Sequence, residues 1–428
     1  MLDKKLIKKG FSVITAILLL IVFLYPFNQF YWHYGWEVNI PYADLLIIIL
    51  GVLSLVLVVR DLFKNNKQAP PKQWLFNLMP LLFLFIAGAL SLLNVWPEQL
   101  LISIKYWWRF VAFYYIFYFL LVQLLAKKEK TFWQVSWCLY GLGIFLSIMG
   151  LFSILWPETY HSFRMATPLS WLGLFPYGSS HNLLAEALVS IILFSWLVVY
   201  RYQKKFYAKW LYLGLAFMVA ITCLTFSRTG WLVLWLELSI LLFVYYDKNI
   251  TNWLKKYWWI GLLLVVIIAV YFITFGQTNF VTSSNEARSA MIVKSLQLWQ
   301  SHPWFGNGVG TWQEIVSKDV YYTYQFGQPL EQHGVLWKLL SEQGIVGVFT
   351  WFGMMFYFLY VLLKNYLGFN KNNPWQWPAL IAFLVVLGQF VFQLLDTGYY
   401  SAKMWLPLGL AFALMYISRQ HINIIEKE

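Results

Sequence analysis

Arg228, Arg288 and His333 are the side chains of this sequence best suited to chemistry. Arg228 sits in SRTGW (227–231) between two apolar runs, Arg288 in SNEARSAMIVKSLQLW, and His333 in EQHGVLWKLLSEQGIVG. Ionisable groups at membrane depth are functional candidates by default. Several arginines on one side point to an anionic ligand such as a lipid diphosphate, which the guanidinium fork grips through paired N–H donors. Lys105 and Arg109, one helical turn apart in IKYWWRF, share a face and could join them. Snorkelling to lipid headgroups is their second reading, since the apolar run from Phe110 to Ala126 lets both sit near an interface. His181, beside Asn182 in SSHNLLAEAL, is open between substrate contact and an ordinary helix start. Glu186 and Glu237 lie inside apolar stretches, where each could partner an arginine or face a polar cavity.

The elements that must position these groups are membrane helices. Of 428 residues 61% are hydrophobic and 11% charged, which excludes a water-soluble fold. The net charge of +13 could suggest nucleic acid, but the basic residues fall between apolar runs and form no basic face, so no nucleic-acid partner is expected. Cys138 and Cys223 lie in apolar runs as small hydrophobes. The basic start MLDKKLIKKG leads into the apolar run Phe11 to Tyr25 without a small-residue cleavage site, which reads as an uncleaved first span. At about 20 residues per crossing, further spans are expected near 42–60, 75–93, 104–126, 133–156, 182–200, 209–226, 230–246, 257–275, 345–363, 376–395 and 404–418. The resulting fold class is all-α: a polytopic inner-membrane protein of about twelve transmembrane helices with one large periplasmic helical loop. It divides into helices one to nine (1–276), the loop (277–343), and helices ten to twelve with the tail (344–428).

Orientation follows from the basic residues. With both termini inside, the outer side keeps Arg164, Arg228, Arg288, Lys294, Lys318, Lys338 and Lys403, with Lys105 and Arg109 in the fourth span; the other 22 of the 31 Lys and Arg lie in inner segments. The positive-inside rule therefore places the loop outside the cytoplasm, together with His33, His161, His181, His302 and His333.

The loop has its own helical pattern. Ser283, Ser284 or Asn285 can cap a helix starting at Glu286, with Ile292, Leu296 and Trp299 as its apolar stripe and Arg288 in a first turn whose dipole favours anions. Thr311 and Glu314 have capping-box spacing for a second helix, and a third runs from about Gln332 until Gly344 ends it. GNGVG at 306–310 has no strand before it and no βαβ context, which favours a tight turn over a phosphate cradle. Without DxD, HExxH, GxSxG or CxxC, the metal, hydrolase and redox readings lose their usual support, and no metal or cofactor is expected.

In order and spacing, SRTGW, the loop arginine ahead of HPWFGNGVGTW, and H–x–x–x–W–x–x–L–L–x–E–x–G–I–V–G at 333–347 resemble the O-antigen ligase superfamily, over about residues 165–365. The superfamily also includes O-antigen polymerases and pilin oligosaccharyltransferases. The resemblance implies a membrane glycosyltransferase that moves a glycan from undecaprenyl diphosphate to an acceptor (lipid A core, a growing glycan or pilin) at the periplasmic face, without nucleotide sugar or metal. It implies His333 as the catalytic histidine, Arg288 as the loop arginine, Arg228 as the arginine of the SRxG turn and Asn182 as the asparagine opening its span. Gly334 stands where ligases usually carry Asn. The rival class is a glycolipid flippase or transporter, which should show internal repeats and interrupted helices; neither is visible, and a single large loop favours an enzyme.

Overall fold

The computed structural model describes residues 4–27, 31–34, 38–63, 72–156, 165–167, 180–246, 279–327, 329, 332–370 and 373–425. The described residues are helical apart from turns and one small antiparallel ribbon, Tyr31–Tyr34 paired with Val38–Pro41, an exception to the all-α expectation. Among the described residues five helices are long and apolar enough to cross a membrane: Pro97–Leu125, Glu129–Leu155, His181–Tyr202, Val335–Leu367 and Gln376–Leu395. Shorter apolar helices occupy Val13–Leu24, Tyr42–Ser54, Met79–Asn94 and Ala208–Leu224. The expected span at 257–275 lies outside the described residues.

The helices that matter for the site pack around His181–Tyr202 and Gln376–Leu395. These two touch each other, and both touch the Arg228–Tyr246 helix, while Gln376–Leu395 also packs on Val335–Leu367 and on Ala402–Ile425. Burial of one broad apolar cluster, including Leu188, Ile192, Val385 and Leu406, holds this centre together. Where helices come closest the chain uses small residues: a Cβ at Gly230 would stand 2.7 Å from that of Ala185. Such contact between backbones is what drives helix association where lipid removes the hydrophobic effect.

Two local departures change the expected geometry. The fourth span is π-helical from Trp107 to Leu121, a run crowded with aromatic rings, so Lys105 and Arg109 do not sit on a regular α-helical turn. Arg109 turns to Asp44, with Nη2 3.5 Å from Oδ2, and Tyr114 and Tyr118 donate to the same carboxylate at 3.1 and 2.7 Å. A buried carboxylate needs such partners, and this network fixes the span Tyr42–Phe63 against its neighbour. The second is in the long run Val335–Leu367, where the helix breaks at Gly344 (φ +64, ψ −162), as expected of the loop helix, and a new helical stretch follows directly.

That break is built into a backbone clasp. Asn307 and Gly308 donate their N–H groups to the carbonyls of Ser341 and Glu342, both at 2.9 Å, and Ile345 donates to the carbonyl of Pro303 at 2.9 Å. The Asn307 side chain adds bonds to Leu298 and Ser341 carbonyls at 2.8 and 2.9 Å, and its Oδ1 lies 2.9 Å from His302 Nδ1. GNGVG is thus a turn that docks on the SEQG segment. A Cβ at Gly344 would overlap the carbonyl group of Trp304. Gly344→Ala should therefore lower stability by roughly 2 kcal/mol or more, from the left-handed backbone and the displaced clasp. Gly353→Ala, with nothing within 4 Å of the new Cβ, should leave thermal unfolding in detergent unchanged or slightly raised.

Candidate functional site

The SRTGW turn places Arg228. Thr225 follows the Ala208–Leu224 helix, Phe226 takes a positive φ of 54°, and Ser227 caps the next helix by accepting from the Gly230 N–H at 3.2 Å. The same Ser227 hydroxyl donates to Asn182 Oδ1 at 2.7 Å. Asn182, expected to bind substrate, is here occupied in tying the start of its own helix to the SRTGW turn. The turn points Arg228 toward the loop, where Nη2 donates to Asn285 Oδ1 at 3.3 Å.

Arg288 reaches the same place by a different route from the one expected. Its helix spans Asn279–Ser301, so Arg288 lies more than two turns in, not in the first turn, and the helix-dipole argument does not apply to it. Once a helix is nucleated, each added residue costs little, so the polar run from Thr282 to Asn285 continues the helix instead of capping it. The buried face is also turned by one residue: Met291 and Ser295 are buried with Leu298 beside them, while Ile292, Leu296 and Trp299 are half-buried. Trp312 explains the rotation, because it packs against Met291 and donates Nε1–H to Ser295 Oγ at 2.8 Å. The capping box of Thr311 and Glu314 does not form. Thr311 precedes the Trp312–Ser317 helix as expected, but its hydroxyl donates back to the Gly308 carbonyl at 2.8 Å.

His333 is paired with Asp396, Nδ1 to Oδ1 at 3.3 Å. Asp396 ends the Gln376–Leu395 helix, and Oδ1 also accepts the Thr397 N–H at 2.8 Å. Burial would raise the Asp396 carboxyl, but the hydrogen bond and charge of His333, the Thr397 N–H and Lys403 together hold it below the usual range. The Thr397 hydroxyl bonds to the Gln332 carbonyl, locking the two turns together. Gly334 has φ +86, and a Cβ there would lie 3.0 Å from the Leu394 carbonyl oxygen. This accounts for glycine where ligases usually carry asparagine: the His333 turn presses on the last turn of the helix that supplies Asp396.

These groups form one charged cluster. Arg288, Arg228 and Asp396 all act electrostatically on His181, the first residue of its helix. Burial and the neighbouring Arg228 make Arg288 a weaker base than an ordinary arginine, with Asp396 opposing them. Two guanidiniums thus repel each other at this place, and the Asp396 carboxylate that opposes them is already committed to His333, an arrangement that favours an incoming anion. His181, Arg228, Arg288 and His333 are brought together; Arg109 is answered by Asp44, and Lys105 has no hydrogen-bond or ion-pair partner among the described residues. Among the described residues no group of three or more His, Cys, Asp or Glu could hold a metal ion.

For Asp396 the sequence carries one signal: it is the sole acidic residue between Gly344 and Ile425, at the end of an apolar span and two residues before a glycine. The sequence pattern marks Asn285 only as a candidate helix cap, whereas it tethers Arg228.

No curated protein matches the chain. Residues 213–352 match the family model Wzy_C, described as O-antigen ligase; the match takes in Arg228, Arg288 and His333 and supports the likeness of this stretch to the O-antigen ligase superfamily.

Proposed function

We propose that this protein is a membrane glycosyltransferase that moves a glycan from undecaprenyl diphosphate to an acceptor at the periplasmic face, acting as an O-antigen ligase with lipid A core as acceptor. A growing glycan or a pilin is the alternative acceptor. The observation that carries the reading is that Asp396, which pairs with His333, also acts on Arg288 beside the charge of Arg228, with both arginines and the histidine lying within the family match.

Asp396 accepts the Nδ1 proton of His333 and so leaves Nε2 as the free base. The acceptor hydroxyl attacks the anomeric carbon of the donor sugar as its proton passes to Nε2. The bond from that carbon to the diphosphate oxygen breaks, and Arg228 and Arg288 hold the charge of the departing diphosphate. Diphosphate is a good leaving group, so one base suffices without a general acid or a metal. A single displacement inverts the anomeric configuration.

The test uses the purified chain in nanodiscs with an undecaprenyl diphosphate-linked glycan, lipid A core and EDTA. Glycan joined to lipid A core with inverted anomeric configuration is the expected product. Transfer to glycan or pilin in parallel reactions would reassign the acceptor. In proteoliposomes, movement of intact donor across the bilayer with no covalent product would overturn the transferase reading in favour of a transporter.

A further inference from the structure

Arg288, His333 and Asp396 sit on three separate elements, and one buried carboxylate bonds to the supports of all three. Glu342 lies in the Val335–Leu367 run that follows His333, ahead of its break at Gly344, and is 1% exposed. Its Oε1 accepts the Trp312 N–H at 3.3 Å, and its Oε2 accepts the Tyr399 hydroxyl at 3.4 Å. Its backbone carbonyl holds the Gly308 end of the clasp.

Each donor leads to a different part of the site. Trp312 is fully buried, and its Nε1–H bonds to Ser295 on the helix that carries Arg288. Tyr399 belongs to the turn that begins at Asp396, and that turn is held from both flanks: the Gly398 N–H donates to Gln393 Oε1 and the Trp405 Nε1–H to the Tyr399 carbonyl, both at 2.6 Å. A shift at Tyr399 is therefore passed on to Asp396. Lys338, one turn before Glu342, places Nζ 3.8 Å from Oε1 and lies over the Tyr400 ring at 4.4 Å. Burying such a charged pair is costly, and apolar side chains would fill the space without that cost. The cost is explained if the two donors must be held at a set spacing.

We propose that Glu342 is a positioning residue for glycan transfer: its carboxylate ties the loop helix that carries Arg288 to the turn that carries Asp396, and so sets the arginine and the His333–Asp396 pair at the spacing one donor molecule requires. The need for that spacing rests on the function proposed above; the tie does not. With the tie cut, Arg288 can still follow the diphosphate, so binding survives. What is lost is the alignment of leaving group, anomeric carbon and base, and that loss falls on turnover.

The experiment uses the full-length protein in nanodiscs. Tyr399→Phe cuts the tie with the smallest change, since the ring stays and only the hydroxyl goes. That hydroxyl also accepts from Gln343 Nε2 at 3.4 Å, so Gln343→Met, which removes that bond alone, is the control. Glu342→Gln is a second cut, from the other side: its amide offers one acceptor oxygen where the carboxylate offers two. Hydrogen exchange read by mass spectrometry should rise several-fold across 295–317 in Tyr399→Phe and Glu342→Gln, and stay at the wild-type level in Gln343→Met. Turnover of the undecaprenyl diphosphate-linked glycan should fall roughly 10- to 10²-fold in the two cut variants, with donor affinity near wild type, while Gln343→Met transfers like wild type. In an Arg288→Ala background Tyr399→Phe should cost about 2-fold or less, because no arginine is left to place. A carboxylate that only holds the fold together would instead add its full loss to that of Arg288→Ala. Unchanged exchange in both cut variants, undiminished turnover, or additive losses overturn the proposal. The expected exchange pattern in a protein whose wild type transfers no glycan would uphold the tie and remove the transferase reading.

Discussion

Replacing His333 by Ala is expected to lower turnover roughly 10²-fold or more, the usual scale of general base catalysis, while donor affinity and protein abundance stay near wild type. The competing role for His333, capping the helix that follows, loses its basis in the geometry. The Val335–Leu367 helix has Gly334 as its N-cap and no side-chain capping bond, and the His333 ring turns away to Asp396. His333→Asn, a competent cap, should therefore be as inactive as His333→Ala. Asp396→Asn should fall by a similar roughly 10²-fold or more, because an amide in place of the carboxylate no longer fixes the Nδ1–H tautomer. Turnover and donor affinity measured side by side for the three variants decide the matter. An active Asn variant at 333 would take His333 off the catalytic list and leave the arginines as the site.

The helices were legible because apolar runs longer than a bilayer crossing admit few alternatives. Gly344 was legible as a helix end for the same local reason, a glycine closing a polar helix before an apolar one, and the structure shows the left-handed backbone that requires it. What was not legible depends on contacts across the chain. The rotation of the 279–301 helix by one residue comes from Trp312, which bonds to Ser295 over 17 residues of separation. Nothing local distinguishes Arg109 from the other arginines; Asp44, 65 residues earlier by numbering, is what claims it. Glu186 was expected to find an arginine or a polar cavity and finds Lys403. Nothing near Asn182 in sequence tells that its carbonyl oxygen accepts from Ser227. In each case residue type marked a place where charge or polarity needed an answer, and only the packing of distant helices supplied the partner.

Arg288→Ala should weaken donor binding and turnover together, by roughly 10- to 10²-fold in affinity if one or two charge-assisted hydrogen bonds to the diphosphate are lost. Arg288→Lys should recover only part, since a lysine offers a point charge without the planar fork. Arg228 needs a control that Arg288 does not, because its Nη2 also bonds to Asn285. Asn285→Ala removes that tether and leaves the guanidinium, so it should cost far less than Arg228→Ala. If both arginines grip one diphosphate, the Arg228→Ala and Arg288→Ala losses should couple and not add. The sign of the stability change gives an independent check. In the absence of donor the two guanidiniums repel, and burial already makes Arg288 a weaker base. Arg288→Ala should accordingly leave donor-free thermal stability unchanged or raised, while abolishing the stabilisation that added donor confers on the wild type. A variant that melts lower without donor, yet still gains stability when donor is added, would mean that Arg288 holds the loop helix in place and that the diphosphate is bound elsewhere.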